Sequence, residues 1–241
     1  MDNYLMDLEI LLPKGIKVGL KIKISNKARR LNLRVDVRSS KIILTCPNET
    51  LIVRAREFAE SNAAWIAEQL SILPKRIVFC DGAIVPVFGE NHVIRHCPKS
   101  FGDVWNVSGD LEKNSELCVS GMSEHIPRRI SDWLKKTALK EVTKQARYYA
   151  AQLDKELGRI SVRDTRSRWG SCSSRGNLSF SWRLIFAPKF VLNYVCAHEV
   201  AHLVEMNHSQ KFWKQVDFLT EDWEESKKWL KFNGNHLHRF G

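Results

Sequence analysis

The sequence predicts an α+β fold in which a β-rich N-terminal lobe carrying one helix precedes a mainly helical lobe. Three observations predict it. Alternating apolar and polar residues dominate the chain up to about Gly121, as in Leu20-Lys21-Ile22-Lys23-Ile24. Helical periodicity takes over beyond it, from Pro127 onward. A small hairpin pattern then precedes an apolar helix, Phe190 to Val204, that carries His198, Glu199 and His202. The expected division is 1–122 for the β-rich lobe and 123–241 for the second lobe.

Strands are expected between Val18 and Thr45, with a second alternation at Leu31–Val37 and a turn at Ser39-Ser40. Pro47-Asn48-Glu49-Thr50 sets up a helix to about Leu70, with Phe58, Ala59, Trp65, Ile66 and Leu70 near helical spacing. Short strands follow at Ile77–Phe79, Ile84–Phe88 and Leu117–Ser120, with Asp81-Gly82 as a tight turn. Pro127 to Leu157 reads as a long amphipathic helix stopped by Gly158. Ile160-Ser161-Val162 is a strand, and Arg166–Ser171 with Leu178–Phe186 forms a hairpin about a Ser173–Asn177 turn. Pro188 opens a helix to about Met206, and two short helices, one through Phe212 and Trp213 and one through Trp223 and Trp229, close the chain. No sequence repeat or low-complexity tract interrupts this order.

A chain of 241 residues with 44% hydrophobic content has enough apolar surface to bury a core. No apolar run reaches the roughly 18 residues that a membrane span needs. The N-terminal stretch Met1–Gly15 lacks a basic segment and an unbroken apolar run, so the expected location is cytoplasmic. Six cysteines without a CxxC pair argue against a zinc ribbon or a disulfide scaffold. The balance of 38 basic to 27 acidic residues, net +11, suits polyanionic partners, nucleic acid among them, and equally a generic basic surface.

The strongest chemical signal is Ala197-His198-Glu199-Val200-Ala201-His202, an HExxH. Residues four apart share a helix face, so His198 and His202 can converge on one ion. Glu199 is displaced by one residue, about 100° round the axis, and reaches the open side of that ion. Zinc held by neutral nitrogens with an open position lowers the pKa of water to about 7. Glu199 is the matching general base. Without a metal, three polar groups on an apolar helix would cost several kcal/mol, roughly, to bury.

His208 is the expected third ligand, five residues beyond His202, the interval of HExxHxxGxxH. Glu205 occupies that motif's glycine position and is the rival ligand. The chain must turn later, with Asn207 as the left-handed residue and Ser209 as cap of the next helix. Tyr194 shares the face of His198 and reads as packing against the hairpin; His236 and His238 read as a frayed terminus, and neither is assigned a catalytic role.

The segment HEVAHLVEMNHSQKFW, residues 198–213, resembles the signature of the YgjP-like family of predicted zinc metallopeptidases, related to the SprT and WLM groups. Arg168-Trp169-Gly170-Ser171-Cys172 with Gly176–Leu184 resembles that family's second block, and Asn193-Tyr194-Val195 also fits. Weaker similarity reaches Lys27–Val37, Trp65-Ile66 and Gly82–Gly89, so both lobes belong to one family-level unit. The resemblance implies a minimal gluzincin-like zincin core beside a small antiparallel sheet. It implies zinc on His198, His202 and His208, Glu199 as base, and Leu178–Leu184 as the sheet edge that aligns a polypeptide substrate.

Two alternatives stay open from sequence. A nucleotide phosphoanhydride hydrolase would use Arg166, Arg168, Arg175 and Arg183 near the hairpin, with Arg29, Arg30 and Arg34 upstream, although no P-loop or magnesium carboxylate cluster accompanies them. A nucleic-acid-associated protein, either a protease or a binder with structural zinc, would use the net charge, although an open fourth position argues against purely structural zinc.

Overall fold

The N-terminal alternation becomes a sheet because each strand has one apolar face to bury. The computed structural model describes residues 4–36, 41–73, 75–109 and 115–241, and the turn expected at Ser39-Ser40 lies outside them. The chain divides into two compact units, Met1–Arg76 and Ile77–Gly241. The change of texture at residue 122 lies inside the second unit, at the entry to its longest helix.

In the first unit, β1 (Tyr4–Leu11), β2 (Lys17–Ile24), β3 (Asn32–Asp36) and β4 (Lys41–Cys46) form a sheet of order β1-β2-β4-β3. β1 and β2 are antiparallel, β2 and β4 parallel, β3 and β4 antiparallel. Leu20, Ile22, Ile42 and Leu44 are fully buried against Ala55, Ala59 and Ile66 of the helices. The single helix expected to Leu70 is two, α1 (Ile52–Ser61) and α2 (Ala63–Ser71). Asn62 leaves helical geometry between them and its side-chain amide donates to the Phe58 carbonyl at 2.7 Å, competing with the helix's own ladder.

The second unit repeats that topology without a sequence repeat. β5 (Ile84–Val87), β6 (Glu90–His96), β7 (Val104–Val107) and β8 (Ser115–Val119) have order β5-β6-β8-β7 and the same antiparallel, parallel, antiparallel sense. The strand expected at Ile77–Phe79 is only a bridge from Ile77 to Phe240. Gly82 holds the positive φ that the Asp81-Gly82 turn demands.

Helix α3 (Ile126–Gln152) joins this sheet to the rest of the unit. Its buried residues Ile126, Ile130, Leu134, Ala138, Val142, Ala146 and Ala150 recur at every fourth position. That row winds slowly round the helix, so its first half packs on Val85, Ile94 and Leu117, and its second half on Phe180, Leu192 and Cys196. Burying an Ile130 or Leu134 in this way stabilises by roughly 1.5–3 kcal/mol each. α3 stops at Gln152, before the expected Leu157, because Asp154 takes the left-handed position that Gly158 was expected to supply.

Three short strands follow: β9 (Ile160–Arg163), β10 (Gly170–Cys172) and β11 (Leu178–Ser181). The hairpin β10–β11 is antiparallel as expected, but β9 lies parallel to β11, so the small sheet is mixed. Its order is β10-β11-β9, which corrects the expectation that Leu178–Leu184 is an edge. β9 occupies the free side of β11, Trp182–Phe186 leaves the sheet as a 3-10 turn, and β10 is the edge strand that packs on the helix after Pro188. Beyond lie α4 (Lys189–Ala201), α5 (Gln210–Leu219) and α6 (Trp223–Leu237). The architecture is α+β.

Candidate metal centre

Helix α4 is apolar because it runs through the interior: Val191, Leu192, Val195, Cys196, Ala197, Val200 and Ala201 are all buried. It packs on α3, α5, α6 and β10. It ends at Ala201, five residues before the expected Met206, with His202 as its C-cap. Leu203 N–H then donates to Val200 and Glu205 N–H to Ala201, a tight exit made without a positive φ at Asn207, which overturns the left-handed turn expected there. Ser209 caps α5 as expected, its hydroxyl accepting from Phe212 N–H at 3.4 Å.

That exit swings His208 back over α4. One ligand atom from each of His198, His202 and His208 lies within 4.8 Å of the others, and among the described residues this is the cluster able to hold a metal. Nε2 of His198 and Nε2 of His208 stand 3.0 Å apart. Nδ1 of His202 lies 3.1 Å from the Glu205 carbonyl, an acceptor only, so that nitrogen carries the proton and Nε2 keeps its lone pair. Glu205 thus contributes its main chain to the site, and its carboxylate is outside the cluster. Phe212 packs against all three imidazoles and Trp213 against His198 and His208.

The three rings suit metal ligation electrostatically. Burial, then the neighbouring His202 and His208, pushes His198 down to about 3. Burial also lowers His202, against the opposing pull of the Glu205 carbonyl. Both rings are held neutral, the form that ligates. Nδ1 of His198 is buried with no hydrogen-bond partner among the described residues. Three imidazoles are a donor set suited to a borderline divalent ion.

Glu199 is 6% exposed and lines a pocket of about 230 Å³ with His198, Tyr194, Arg168, Gly170 and Leu230. Burial raises its carboxyl to about 7, with Arg168 pulling the other way. The pocket therefore holds a carboxyl poised near neutrality beside the histidine cluster.

The family description "YgjP-like, metallopeptidase domain" matches residues 29–233. The chain belongs to the YgjP-like family. As a family member it is a metal-dependent peptidase, a hydrolase with polypeptide substrates. Two solved structures resemble it, both zymogens of metallopeptidases. Abylysin of Pyrococcus abyssi is 19% identical, with 38% of this chain and 93% of that one covered and a TM-score of 0.34. Jannalysin of Methanocaldococcus jannaschii is 18% identical, with 39% and 96% covered and a TM-score of 0.34. No curated protein matches.

The other residues singled out in this YgjP-like sequence have varied places. Tyr194 lines the Glu199 pocket, its ring edge-on to His198, and burial followed by Glu199 pushes its hydroxyl up to about 12. Cys172, pushed up to about 11 by burial and then Glu199, stays a thiol. The C-terminus is not frayed: His238 is buried and stacks on Trp169 at 5.3 Å, and Phe240 rests on Phe186. Arg183 is buried, paired with Asp164 at 2.9 Å and donating to the Phe240 carbonyl at 2.6 Å, so it braces the fold and is not a phosphate ligand. Of the four hairpin arginines, Arg168 lines the Glu199 pocket. Arg29, Arg30 and Arg34 belong to the first unit. No described helix is long and apolar enough to cross a membrane. Sequence reasoning passed over Gly170, Trp169 and Leu230 as site residues; Arg168-Trp169-Gly170 within the second family block was the available signal for two of them.

Proposed function

We propose that this chain is a zinc metallopeptidase in which His198, His202 and His208 hold the ion and Glu199 is the general base. When bound, zinc supplies a Lewis acid that lowers the pKa of water and polarises a peptide carbonyl. Glu199 accepts the proton of the attacking water on its carboxylate and delivers it to the departing amine nitrogen. Its buried position excludes bulk water from that transfer, and a pKa near 7 suits both accepting and returning the proton. Arg168 steadies the carboxylate charge from the pocket wall.

The observation that carries the reading is the convergence of three imidazoles beside the pocket lined by the glutamate that follows the first of them. The edge strand β10 supports the peptide part. Trp169 and Ser173 exchange main-chain bonds with the β11 side, so by alternation Gly170 and Cys172 turn their N–H and C=O outward. An extended substrate adds there, beside Glu199. Cytoplasmic residence goes with the same reading. Incubation of the zinc-loaded protein with an unfolded polypeptide and, separately, with nucleoside triphosphates tests it. Degradation of the polypeptide alone is expected; hydrolysis of the triphosphates alone would overturn it.

A further inference from the structure

On the side of the small sheet facing away from Glu199, the register aligns three serines. Ser171 of β10 pairs with Ser179 of β11, which pairs with Ser161 of β9. This row floors a cleft of about 650 Å³ whose walls carry Arg159, Arg163 and Arg168. Among the described residues no carboxylate lines it. Among the described residues Arg159 and Arg163 form no ion pair, and both are exposed. Two guanidinium groups without an ion pair among the described residues, a third shared with the Glu199 pocket, and a hydroxyl row make a cleft that favours anions. Arg168 lines both this cleft and the Glu199 pocket.

We propose that this cleft is a specificity subsite for acidic side chains of the polypeptide substrate, an inference that rests on the peptidase reading. A strand added along β10 continues the pleat of the sheet, so its side chains alternate between the two faces. Residues on one face meet Gly170, Glu199 and His198; their neighbours fall on the face of Ser171, at the β10 margin of the cleft, with Arg168 beside them. Arg159 and Arg163 reach in from the β9 side across the sheet. Acidic residues at alternate positions would turn their carboxylates over Ser171, toward Arg168 and, across the sheet, toward the long side chains of Arg163 and Arg159, while the main chain stays on the edge. A polynucleotide carries a continuous charge along its backbone and has no such two-faced alternation, which favours peptide as the occupant.

The test uses the full chain with Glu199→Gln to prevent turnover, and a labelled dodecapeptide with Glu at alternate positions beside its Gln counterpart. Fluorescence anisotropy should show the Glu peptide binding roughly tenfold tighter at low salt, with the difference shrinking as salt rises. Arg159→Gln with Arg163→Gln should erase that preference, and the Arg→Lys pair should keep most of it, both with unchanged melting temperature. Equal binding of the two peptides, or a preference that survives the double Gln variant, would overturn the subsite. So would an oligothymidylate that binds more tightly than the Glu peptide with the same arginine dependence. The peptidase reading fails separately, when the Glu199 enzyme binds the Glu peptide with the expected preference and cleaves neither peptide.

Discussion

Gly170 lies directly against the carboxylate of Glu199: a Cβ placed on Gly170 would be driven into the Glu199 side chain. The edge strand β10 and helix α4 therefore meet through the residue without a side chain, and that contact sets where the carboxylate stands. Gly170→Ala is expected to push Glu199 off its position while leaving the histidines in place, since the atoms that a Gly170 Cβ meets first all belong to Glu199. Misplacing a catalytic group by about 1 Å costs on the order of 10²-fold in rate. The variant should keep its zinc by metal analysis and lose about that factor in kcat. Loss of zinc together with activity would show that the contact supports the whole centre and does not aim the base.

His208 and Glu205 compete on spacing alone, and the structure separates them by what each uses. His208 brings an imidazole to within reach of His198 and His202, whereas Glu205 brings its carbonyl to His202. His208→Ala is expected to reduce zinc binding by at least about 10²-fold, since one of the three proposed protein ligands is lost. Glu205→Ala preserves the carbonyl and should leave zinc stoichiometry unchanged. Titration of each purified variant with a competing chelator reads both effects, and the reverse ranking would move the ligand assignment to Glu205.

The histidine pair was legible because helix geometry alone places His198 and His202 on one face, and an apolar helix needs a reason to carry them. The edge strand was not. Leu178–Phe180 alternates as well as any edge, and only the return of β9 after α3, a contact that local spacing does not encode, makes β11 central. β6 and β7 were missed for a related reason. His92-Val93-Ile94-Arg95-His96 offers few β-branched positions, and β7 is four residues long, so pairing with β8 decides what propensity leaves open. The buried C-terminus has no local signal, because the hold on it is Arg183, more than fifty residues upstream.

Arg183 gives that hold a measurable size. Its guanidinium pairs with the half-exposed Asp164, donates to the Phe240 carbonyl and lies over the Trp182 ring at 4.7 Å. Truncation to Ala leaves buried acceptors without donors and a gap beside Trp182. A cost of about 2–4 kcal/mol is expected, most of it from the unsatisfied carbonyls and lost packing, since solvent screens much of the ion pair. Urea denaturation measures it. A loss below about 0.5 kcal/mol, the range of ordinary surface changes, would show that the C-terminal segment holds without Arg183.

In the metal-stripped protein His198 and Glu199 act on stability in opposite senses. Burial holds His198 at about 3 against an ordinary 6.5, so between those values the unfolded chain binds the extra proton. Its contribution to stability is present above 6.5 and is lost as pH falls through that window. Burial holds Glu199 at about 7 against an ordinary 4.5, so there the folded chain binds the extra proton. Its contribution is present below 4.5 and is lost as pH rises toward 7. Between 4.5 and 6.5 the two slopes oppose each other, and below 4.5 that of His198 acts alone. Glu199→Gln removes one slope and leaves the other. Chelator-treated wild type, compared with chelated Glu199→Gln by denaturant unfolding at each pH, should therefore lose its relative stability steadily from pH 4.5 to 7. A difference between the two proteins that stays constant across that range would mean that Glu199 is not held protonated by burial.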